Sequence, residues 1–537
     1  MSSITSFVSG EPEVRIVNVF ARPYENAVAT ARTCYSSKGI ISPAETSGDT
    51  LDDPAKKSRR VATRDRIAKS IYKAGHHTTL QHAHIQFSLD RVSRQFLWTF
   101  LHSHEFYNSE QVSQRYVEVK PDAVAIPPLE GPALTLYQET VALQMEAYQR
   151  LIEQLNPGAA ADYFRRFPSR RPSIRPGTKG PAKDIQKKAQ EIARYVLPVA
   201  THAYLYHTIS SLTLMRYWRI CEQYDAPLEQ KLVVGKMVDA LLEIDPLFET
   251  ILEGPLPFEG TLEHASFEAV RAGRNGSTQK KFVEEFDREL DGRVSKLIDY
   301  KVRNEEVLAR AVREVLGAPS DALSDDEAIR IVLDPSRNPY LGESLTLGTH
   351  SKVMRALHHP AYTFQKKLSH TADSQDQRHR MTPASRPILL AHLSDVPDVI
   401  TPPLVSMDEV SHRTYRDVMD RTWDAFNRLR KMGVSDEFAA YLLPNATAIR
   451  FTESADLLHL HHKLTMRLCF NAQEEIWRAS LNEAMQIRDI NPRIGQYLLP
   501  PCGLRSMAPK KPYCPEGDRY CGVPVWNQDL PEYKRII

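Results

Sequence analysis

Two short stretches decide the fold: Ala193–Pro198 reads ARYVLP, and Ala439–Pro444 reads AAYLLP. Each is followed by a polar, threonine-containing stretch and then by an apolar, helix-like pattern. That pattern contains one Arg-aliphatic-Cys step in each case, at Arg219–Cys221 and Arg467–Cys469. The offset between the matching segments, by subtraction of residue numbers, is 246–248 residues. Self-similarity of this kind predicts two tandem copies of one unit.

Further upstream the copies match at a larger offset. Gly75–His82 (GHHTTLQH) faces a weaker segment that ends at His358, and His82 and His358 are 276 residues apart. The first copy therefore carries about 28 extra residues, which we place at about 156–183, a stretch rich in Arg, Pro and Gly. We predict a surface loop there, either a solvated insertion or an anion-facing lid that carries the arginines 165, 166, 170, 171 and 175. We predict domains at 1–280 and 281–537.

Composition excludes several classes of protein. Lys and Arg number 69 against 67 Asp and Glu, a net charge of +2, which gives no reason to expect a nucleic-acid binder. No apolar run approaches the roughly 18 residues of a membrane helix, and the N-terminus lacks the pattern of a secretory signal. Six cysteines in 537 residues do not make a disulfide scaffold. We expect a cytoplasmic enzyme that does not bind a membrane.

Hydrophobic periodicity predicts an α+β fold dominated by helices. Spacing at helical period predicts helices over Thr63–Ala74, Val92–Leu101, Ala133–Leu155, Gln186–Val196, Leu228–Leu242 and Leu457–Met485. Alternation of apolar residues predicts a half-buried strand over His84–Leu89. The breaker cluster Gly273–Thr278 and the charged stretch after it mark the join between the copies.

Three groups of residues could carry chemistry. Arg378, His379 and Arg380 suit the end of a helix, where they could surround an anion with Gln375 one turn earlier; a solvated basic patch is the alternative. Ser113 and Arg115 point the same way in an extended segment and could grip a phosphate, although exposed strands often carry such residues without function. Arg467 lies on an apolar helix and needs an anionic partner, either a ligand or a core carboxylate such as Glu475; Arg450 is paired with it as a candidate.

Metal chemistry has weaker support. Histidines cluster at 76–84, 102–104 and 459–462, but no His-Glu-x-x-His or Cys-x-x-Cys motif occurs. Cys502, Cys514 and Cys521 lie in a Pro/Gly-rich tail at spacings that fit no tight zinc knuckle. We expect no metal site, and a zinc protein remains an alternative. No Rossmann or Walker loop is present either, so a flavin or nucleotide would bind by another route.

The ordered series of motifs resembles flavin-dependent thymidylate synthase. ATARTCY, GHHTTLQH with the strand HIQFSL, SQRY, the Leu-Pro segments and the Arg-Leu-Cys helix all have counterparts in that family. The resemblance covers most of both halves, so the sequence looks like a fused tandem duplication. It implies two tandem copies of that fold, each helix-rich with a small central sheet. It also implies non-covalent FAD, the substrate dUMP, and NADPH and methylenetetrahydrofolate as co-substrates, with sites formed where subunits meet.

The resemblance also implies roles for individual residues. Arg467 and Arg219 match the helix arginine thought to polarise the uracil. The residues that match flavin contacts are His82, His358, Arg378, His379, Arg380, Asp456 and His462. The residues that match nucleotide contacts are Gln111, Ser113, Arg115, Gln375 and Arg450. Neither copy keeps the family's flavin-binding arginine, whose place in the second copy is taken by Leu458.

The losses in the two copies are complementary. The first copy keeps the phosphate segment but reads His102-Ser103-His104 where the second has Arg-His-Arg, and has Tyr204 in place of Arg450. In the second copy the phosphate segment is truncated to Ser385-Arg386-Pro387. We therefore expect composite sites built from both halves, and a homodimer that forms a pseudo-tetramer. The alternatives are a repurposed flavin enzyme acting on another pyrimidine and a non-catalytic nucleotide- or flavin-binding protein.

Overall fold

The structure is a computed structural model that describes residues 6–102, 104–168, 182–222, 225–271, 276–535 and 537. Its strands are β1 (Glu13–Val19), β2 (His84–Ser93), β3 (Asn108–Gln111), β4 (His202–Ser210), β5 (Ser295–Tyr300), β6 (Ala361–Ser369), β7 (Ala384–Ser385) and β8 (Ala448–Asp456). Its first helices are α1 (Pro23–Thr33), α2 (Pro43–Ser47), α3 (Pro54–Lys73), α4 (Arg94–His102), α5 (Gly131–Arg166), α6 (Ala182–Ala193), α7 (Ser211–Arg219), α8 (Pro227–Ile244), α9 (Leu262–Arg271) and α10 (Gly276–Leu290). The remaining helices are α11 (Asn304–Leu316), α12 (Asp325–Leu333), α13 (His370–Asp376), α14 (Leu389–His392), α15 (Pro403–Met407), α16 (Glu409–Lys431), α17 (Asp436–Ala440), α18 (Leu457–Arg467), α19 (Glu474–Ile490), α20 (Pro492–Gly495) and α21 (Pro501–Met507).

The two copies contain sheets of the same topology. Each is a four-stranded antiparallel sheet, in the order β1-β2-β4-β3 in the first copy and β5-β6-β8-β7 in the second. Even the irregularity in the first strand pair recurs, between Ile16 and Asn18 and between Leu297 and Asp299. The prediction of a helix-rich α+β fold in two tandem copies is confirmed.

The hydrophobic core joins the copies. A smaller cluster packs the first sheet against α1, α4, α7 and α8. A larger cluster contains the second sheet and its helices together with α5 and α6, whose residues belong to the first half of the chain. The long helices α5 and α16 lie against each other across this larger core. The first half therefore contributes two helices to the core of the second, while the domain boundary near residue 280 stays a prediction.

Most of the predicted elements are present, and one is divided. Helices α3, α4, α5, α6 and α8 and strand β2 overlap the segments predicted from periodicity. Val92 and Ser93, predicted as helix, instead end strand β2, and Arg194–Val196 form a 3₁₀ turn after α6. The single helix predicted over Leu457–Met485 is wrong, because the structure has α18 and α19 separated by a turn at 468–473. The indole Nε1 of Trp477 donates to the carbonyl of Leu468 (3.2 Å) and so satisfies a backbone acceptor where α18 ends.

The predicted surface loop at about 156–183 is wrong for its first part. Helix α5 continues to Arg166 through Pro157, and its apolar face, which includes Leu155, Ala159 and Tyr163, is buried in the larger core. That burial offsets the roughly 3 kcal/mol that an internal proline costs a helix. Arg165 and Arg166 both pair with Asp162. The rest of the predicted loop, including Arg170, Arg171 and Arg175, lies outside the described residues.

The two Leu-Pro segments cross each other between the copies. The backbone N–H of Val199 donates to Leu443 (2.8 Å), and that of Asn445 donates to Leu197 (2.8 Å). Pro198 and Pro444 form an antiparallel bridge at the crossing point. The repeated motif therefore builds the contact between the copies, which is why it recurs in both.

Each crossing segment also supplies a tyrosine to a buried carboxylate of the other copy. Glu229 accepts from the backbone N–H (2.7 Å) and hydroxyl (2.6 Å) of Ser93 and from the hydroxyl of Tyr441 (2.6 Å). In the matching place Glu475 accepts from the backbone and hydroxyl of Ser369, each at 2.6 Å, and from the hydroxyl of Tyr195. Glu475 is therefore a core carboxylate, but its partners are Ser369 and Tyr195 rather than Arg467.

In the described parts of the chain, no helix combines the length and apolar character needed to cross a membrane.

Removing one of these tyrosine hydroxyls tests the contact between the copies. Tyr441→Phe leaves the Glu229 carboxylate with one donor fewer in a fully buried place, so we expect a loss of about 1–3 kcal/mol in stability. Thermal and urea unfolding measure it. Tyr206→Phe, at a 55% exposed position, is the matched control and should change stability by less than about 0.5 kcal/mol. Equal stability of the two variants would contradict the assignment.

A second test uses pH. Burial raises the pKa of Asp225, which accepts from the backbone of Leu389 (2.8 Å), to about 7. Because the unfolded value is about 3.9, the stability this group contributes is fully present below about pH 4 and is lost as pH rises through 7. The advantage of Asp225→Asn over the wild type should grow by up to about 4 kcal/mol over this range and then level off. Unfolding curves across the pH series give the difference, and a constant difference would refute this account.

Candidate active site

A cavity of about 780 Å³ lies between the two copies. Its first-copy wall is formed by Gln81, His84, residues 105–108 and residues 208–210. Its second-copy wall is formed by Thr346, Gly348, Thr349, residues 378–382, Leu458, His459, His462, Met466 and Arg467. The volume lies in the range of about 300–1,000 Å³ that is usual for small-molecule sites.

The Arg-His-Arg element follows the end of α13, as the sequence predicts. Arg467, near the end of α18, donates from Nε to Nε2 of His379 (2.8 Å) and from a terminal nitrogen to the carbonyl of Gln375 (2.9 Å). Burial and the positive charges of Arg467 and Lys463 hold the pKa of His379 well below its usual value. His379 is therefore a neutral acceptor that orients Arg467 at the cavity wall.

Arg378 and Arg380, which flank His379, both contact residues of the first copy. Arg378 pairs with Glu110 (3.1 Å). Arg380 donates to the side chain of Asn108 (3.4 Å) and to the carbonyl of Glu105 (3.3 Å), and its guanidinium lies 5.0 Å from the ring centre of Tyr107. The segment from Glu105 to Glu110 thus forms the opposite wall, so the cavity is built from both copies.

Beyond Arg467 lies a group of four cations, one buried and three half-buried, which we call the cationic cluster: Arg194, Arg115, Lys188 and Arg535. Arg115 pairs with Glu191 and donates to the carbonyl of Asn471 (2.7 Å). Burial lowers the pKa of Lys188 to about 8 and that of Arg535 to about 10. Glu191 lies among these cations, Glu474 acts on Arg535 and Glu475 acts on Arg194. Four cations against three carboxylates leave an excess of positive charge, which favours binding of an anion.

Three members of this cluster, Lys188, Arg194 and Arg535, are missing from the residues predicted from the sequence, and Arg194 is the most deeply buried of them. It is only 5% exposed, and its Nε and one terminal nitrogen have no hydrogen-bond partner among the described residues. Burial and the nearby charge of Arg115 lower its pKa. A comparison of the two repeated segments could have revealed Arg194, because ARYVLP has an arginine where AAYLLP has Ala440.

The cationic cluster and the cavity are electrostatically connected. Burial, together with the positive charges of Arg115 and Arg378, lowers the pKa of Arg467 to about 10 despite the opposing effect of Asp376. Ser113 accepts from the backbone N–H of Arg115 (3.3 Å). Gln111 accepts from Arg94 (3.0 Å), another buried cation, whose pKa burial lowers to about 9. The predicted phosphate segment therefore lies in a strongly positive region.

Other predicted residues lie elsewhere. Arg450 is fully buried in ion pairs with Asp287 (2.8 Å) of α10 and with Asp398, so the structure does not bring it to the cavity. Arg219 pairs with Glu253 (3.3 Å) and lines a separate cavity of about 270 Å³ with His104.

Other residues that the sequence analysis places near a ligand contact groups of the protein itself. Gln375 donates to the side chain of Gln473 (2.6 Å). His82 is exposed, and its carbonyl accepts from Asn26 (3.0 Å). In the truncated phosphate segment of the second copy, Arg386 pairs with Asp373 (2.9 Å). Ser103, in the matching first-copy position of Arg-His-Arg, lies outside the described residues.

A fully buried ionic network supports the second-copy wall. Lys366 contacts Asp376 (3.3 Å), Glu453 (2.9 Å) and Glu483 (2.7 Å), and Lys463 contacts Asp376 (2.9 Å) and Glu453. Asp376 is the last residue of α13, directly before the turn that carries Arg378–Arg380. The network therefore fixes the end of the helix that presents those arginines.

Two groups of potential metal ligands are present. The thiols of Cys469, Cys502, Cys514 and Cys521 are near neighbours, and burial together with the other three thiols raises the pKa of Cys502 to about 12. Among the described residues, however, the group of three ligand atoms lying within 4.8 Å of one another is His358, Asp456 and His459. His459 lines the cavity.

The model of the thymidylate synthase complementing protein family matches residues 15–247 and 296–493, which is most of the chain. The chain belongs to this family. The two matched segments, one in each copy, confirm the tandem form that the motifs predict. The predicted site residues stay predictions.

Individual relatives match the chain in part. It is 26% identical to the flavin-dependent thymidylate synthase of Sulfolobus acidocaldarius over 215 residues, which is 38% of this chain and 77% of the relative. It is 23% identical to that of Clostridium tetani (38% and 73%) and 28% identical to that of Geobacter sulfurreducens (34% and 75%). A crystal structure of the UMP/dUMP methylase PolB from Streptomyces cacaoi aligns with a TM-score of 0.30 and 18% identity, covering 45% of this chain and 96% of that one.

Lys366→Met tests the ionic network behind the cavity. Among the described residues, the substitution removes the one cation that contacts Glu483. It leaves Asp376 and Glu453 to share Lys463, with Arg386 3.7 Å from Asp376, so we expect a loss of about 3–5 kcal/mol in stability. Denaturant unfolding measures the loss. Lys280→Met, whose side chain is 75% exposed beside Glu284, is the control and should be nearly neutral. If the two variants were equally stable, the network would not be what holds the end of α13.

Proposed function

We propose that this chain is a flavin-dependent enzyme that methylates the uracil ring of dUMP to form dTMP, with methylenetetrahydrofolate as one-carbon donor and NADPH as reductant. The observation that carries the proposal is the composite cavity. Arg378–Arg380 and Arg467 of the second copy face it, and the cationic cluster, which combines three first-copy residues with Arg535, lies beside Arg467. The names of the relatives, all flavin-dependent thymidylate synthases, support the same reaction.

In this proposal the nucleotide phosphate binds at the cationic cluster. Arg194 has two unpartnered nitrogens, and Arg115 lies beside the Ser113 hydroxyl. A phosphate dianion would accept hydrogen bonds from these groups and compensate the excess positive charge of the cationic cluster. Burial makes each such charged hydrogen bond stronger than it would be in water.

Arg467 takes the role of polarising the uracil. Its pKa of about 10 keeps it positively charged at neutral pH. Because neutral His379 and the Gln375 carbonyl hold the guanidinium in place, it can donate to a ring carbonyl without first reorganising. Such a donor stabilises negative charge that develops on the ring oxygen.

The cavity has a suitable donor set for FAD. Arg378 and Arg380 can bind its phosphates, and His379 and His462 offer ring nitrogens. Exposed Phe106 and the more buried Tyr107 line the same wall, and Phe106 can pack against an aromatic ring system. When bound, the flavin would supply the redox chemistry of hydride transfer. One composite cavity of this kind forms within a single chain, and a homodimer would then carry two.

The first test is an absorption spectrum of the purified protein with added FAD, followed by dUMP or deoxyuridine, and then an assay for dTMP. We expect near-equimolar flavin whose bands are perturbed by dUMP and not by deoxyuridine. Flavin and dUMP binding without dTMP formation would favour a repurposed enzyme or a binding protein. Binding of neither ligand would overturn the proposal.

Arg194→Met tests the phosphate site. Loss of one charged hydrogen bond costs about 1.5–3 kcal/mol, so we expect dUMP to bind roughly 10–150-fold more weakly while the folded state keeps or gains stability. Flavin-monitored titration measures the affinity, and a thermal melt checks the fold. Arg150→Met, an exposed surface arginine, serves as the matched control. Unchanged dUMP affinity in Arg194→Met would place the phosphate elsewhere.

A further inference from the structure

The side chains of His358, Asp456 and His459 converge at the edge of the cavity. Nδ1 of His358 lies 2.8 Å from one carboxylate oxygen of Asp456, and Nδ1 of His459 lies 2.9 Å from the other. The two imidazole rings are 5.3 Å apart. One ligand atom from each residue lies within 4.8 Å of the other two.

The local structure holds this arrangement in place. Asp456 is the N-cap of α18, and its side chain accepts from the backbone N–H of His459 (3.0 Å). His358 ends a 3₁₀ turn over Met354–His358 that packs against α18. The carboxylate is therefore positioned by a helix cap, and each histidine is brought to it by a separate element.

The three side chains are partly accessible rather than sealed in the core. Their exposed fractions are 34% for His358, 24% for Asp456 and 17% for His459. His459 and its neighbour Leu458 line the cavity, as do Gly348 and Thr349 opposite. An ion bound here could keep an open position directed toward a ligand in the cavity.

We propose that His358, Asp456 and His459 bind a divalent transition-metal ion, with Zn²⁺ the first choice. Two imidazoles and one carboxylate form a three-ligand set that leaves room for water or substrate, as in catalytic zinc sites and in 2-His-1-carboxylate iron sites. Each Nδ1 lies within hydrogen-bond distance of the Asp456 carboxylate and donates to it when it carries the proton. If each imidazole carries its proton on Nε2 instead, both Nδ1 atoms can bind the ion beside anionic Asp456.

The first copy provides an internal comparison. There the matching cap at the end of β4 is Ser210, which accepts from the backbone N–H of Thr213 (3.2 Å) at the start of α7. Serine and threonine thus stand where the second copy has Asp456 and His459. The proposal therefore predicts one such ion per chain, in the second copy only.

This inference goes beyond the proposed function and does not depend on it. It does reassign two residues, because the family resemblance implies that His358 and Asp456 contact the flavin. Binding of an ion and binding of flavin can be measured separately, so the two roles are distinguishable.

The test uses the full chain, stripped with EDTA and dialysed. Zn²⁺ is titrated by calorimetry, and Co²⁺ is titrated by absorption spectroscopy, whose visible bands report coordination geometry. Asp456→Asn keeps the oxygen that caps α18, so it should fold, and His459→Ala removes one imidazole. His350→Ala, at an exposed position on the neighbouring Gly348–His350 turn, is the control.

We expect Asp456→Asn and His459→Ala each to bind one equivalent fewer of Zn²⁺, or to bind that equivalent more than tenfold more weakly, than wild type and His350→Ala. Comparison with wild type removes any contribution from the cysteine thiols, which all variants retain. Equal binding by all four proteins would overturn the proposal. Loss of FAD affinity in Asp456→Asn with unchanged Zn²⁺ binding would also overturn it, and would leave the proposed flavin enzyme intact.

Discussion

Two buried glutamates, each bonded by a tyrosine from the opposite copy, hold this structure together. Glu229 and Glu475 each bind a serine at the end of a central strand, Ser93 and Ser369. Those serines also cap the helices α4 and α13 by accepting from the backbone N–H three residues later, at Phe96 and Ala372. The hydroxyls of Tyr441 and Tyr195 donate to the same two carboxylates. In each copy, one set of hydrogen bonds therefore fixes the end of the central strand, the start of the following helix and the contact with the other copy. A buried carboxylate without these donors would carry a large desolvation cost.

This constraint positions the candidate site. The start of α13 is set by Ser369, and its end is set by Asp376 within the buried ionic network. The turn after α13 presents Arg378, His379 and Arg380, and Arg467 is held against His379. On the other side, the ARYVLP segment that crosses between the copies carries Arg194 into the cationic cluster. The contact that joins the copies and the cations that favour an anion therefore come from the same segment.

The division of residues between the copies follows from this geometry. When two copies share a cavity, each can lose the groups that the other supplies there. The second copy has replaced Arg194 by Ala440 and has truncated its phosphate segment, while the first has no arginine at positions 102–104. In the second copy, Arg386 pairs with Asp373, and Arg450 pairs with Asp287 and Asp398, so acidic residues of the protein hold both of these cations.

The sequence alone determined the duplication, the helix-rich α+β class, the helices α3, α4, α5, α6 and α8 and the Arg-His-Arg element at a helix end, because these depend on repeats and on periodicity along the chain. It did not show that α18 and α19 are separate, that α5 continues through Pro157, or that Arg450 is neutralised by acids 52 and 163 residues away. It also left Arg194 and the His358–Asp456–His459 group unrecognised. Those features were decided only by the tertiary structure, since the burial of a charge and the convergence of ligands depend on which distant segments meet, and no local pattern records that.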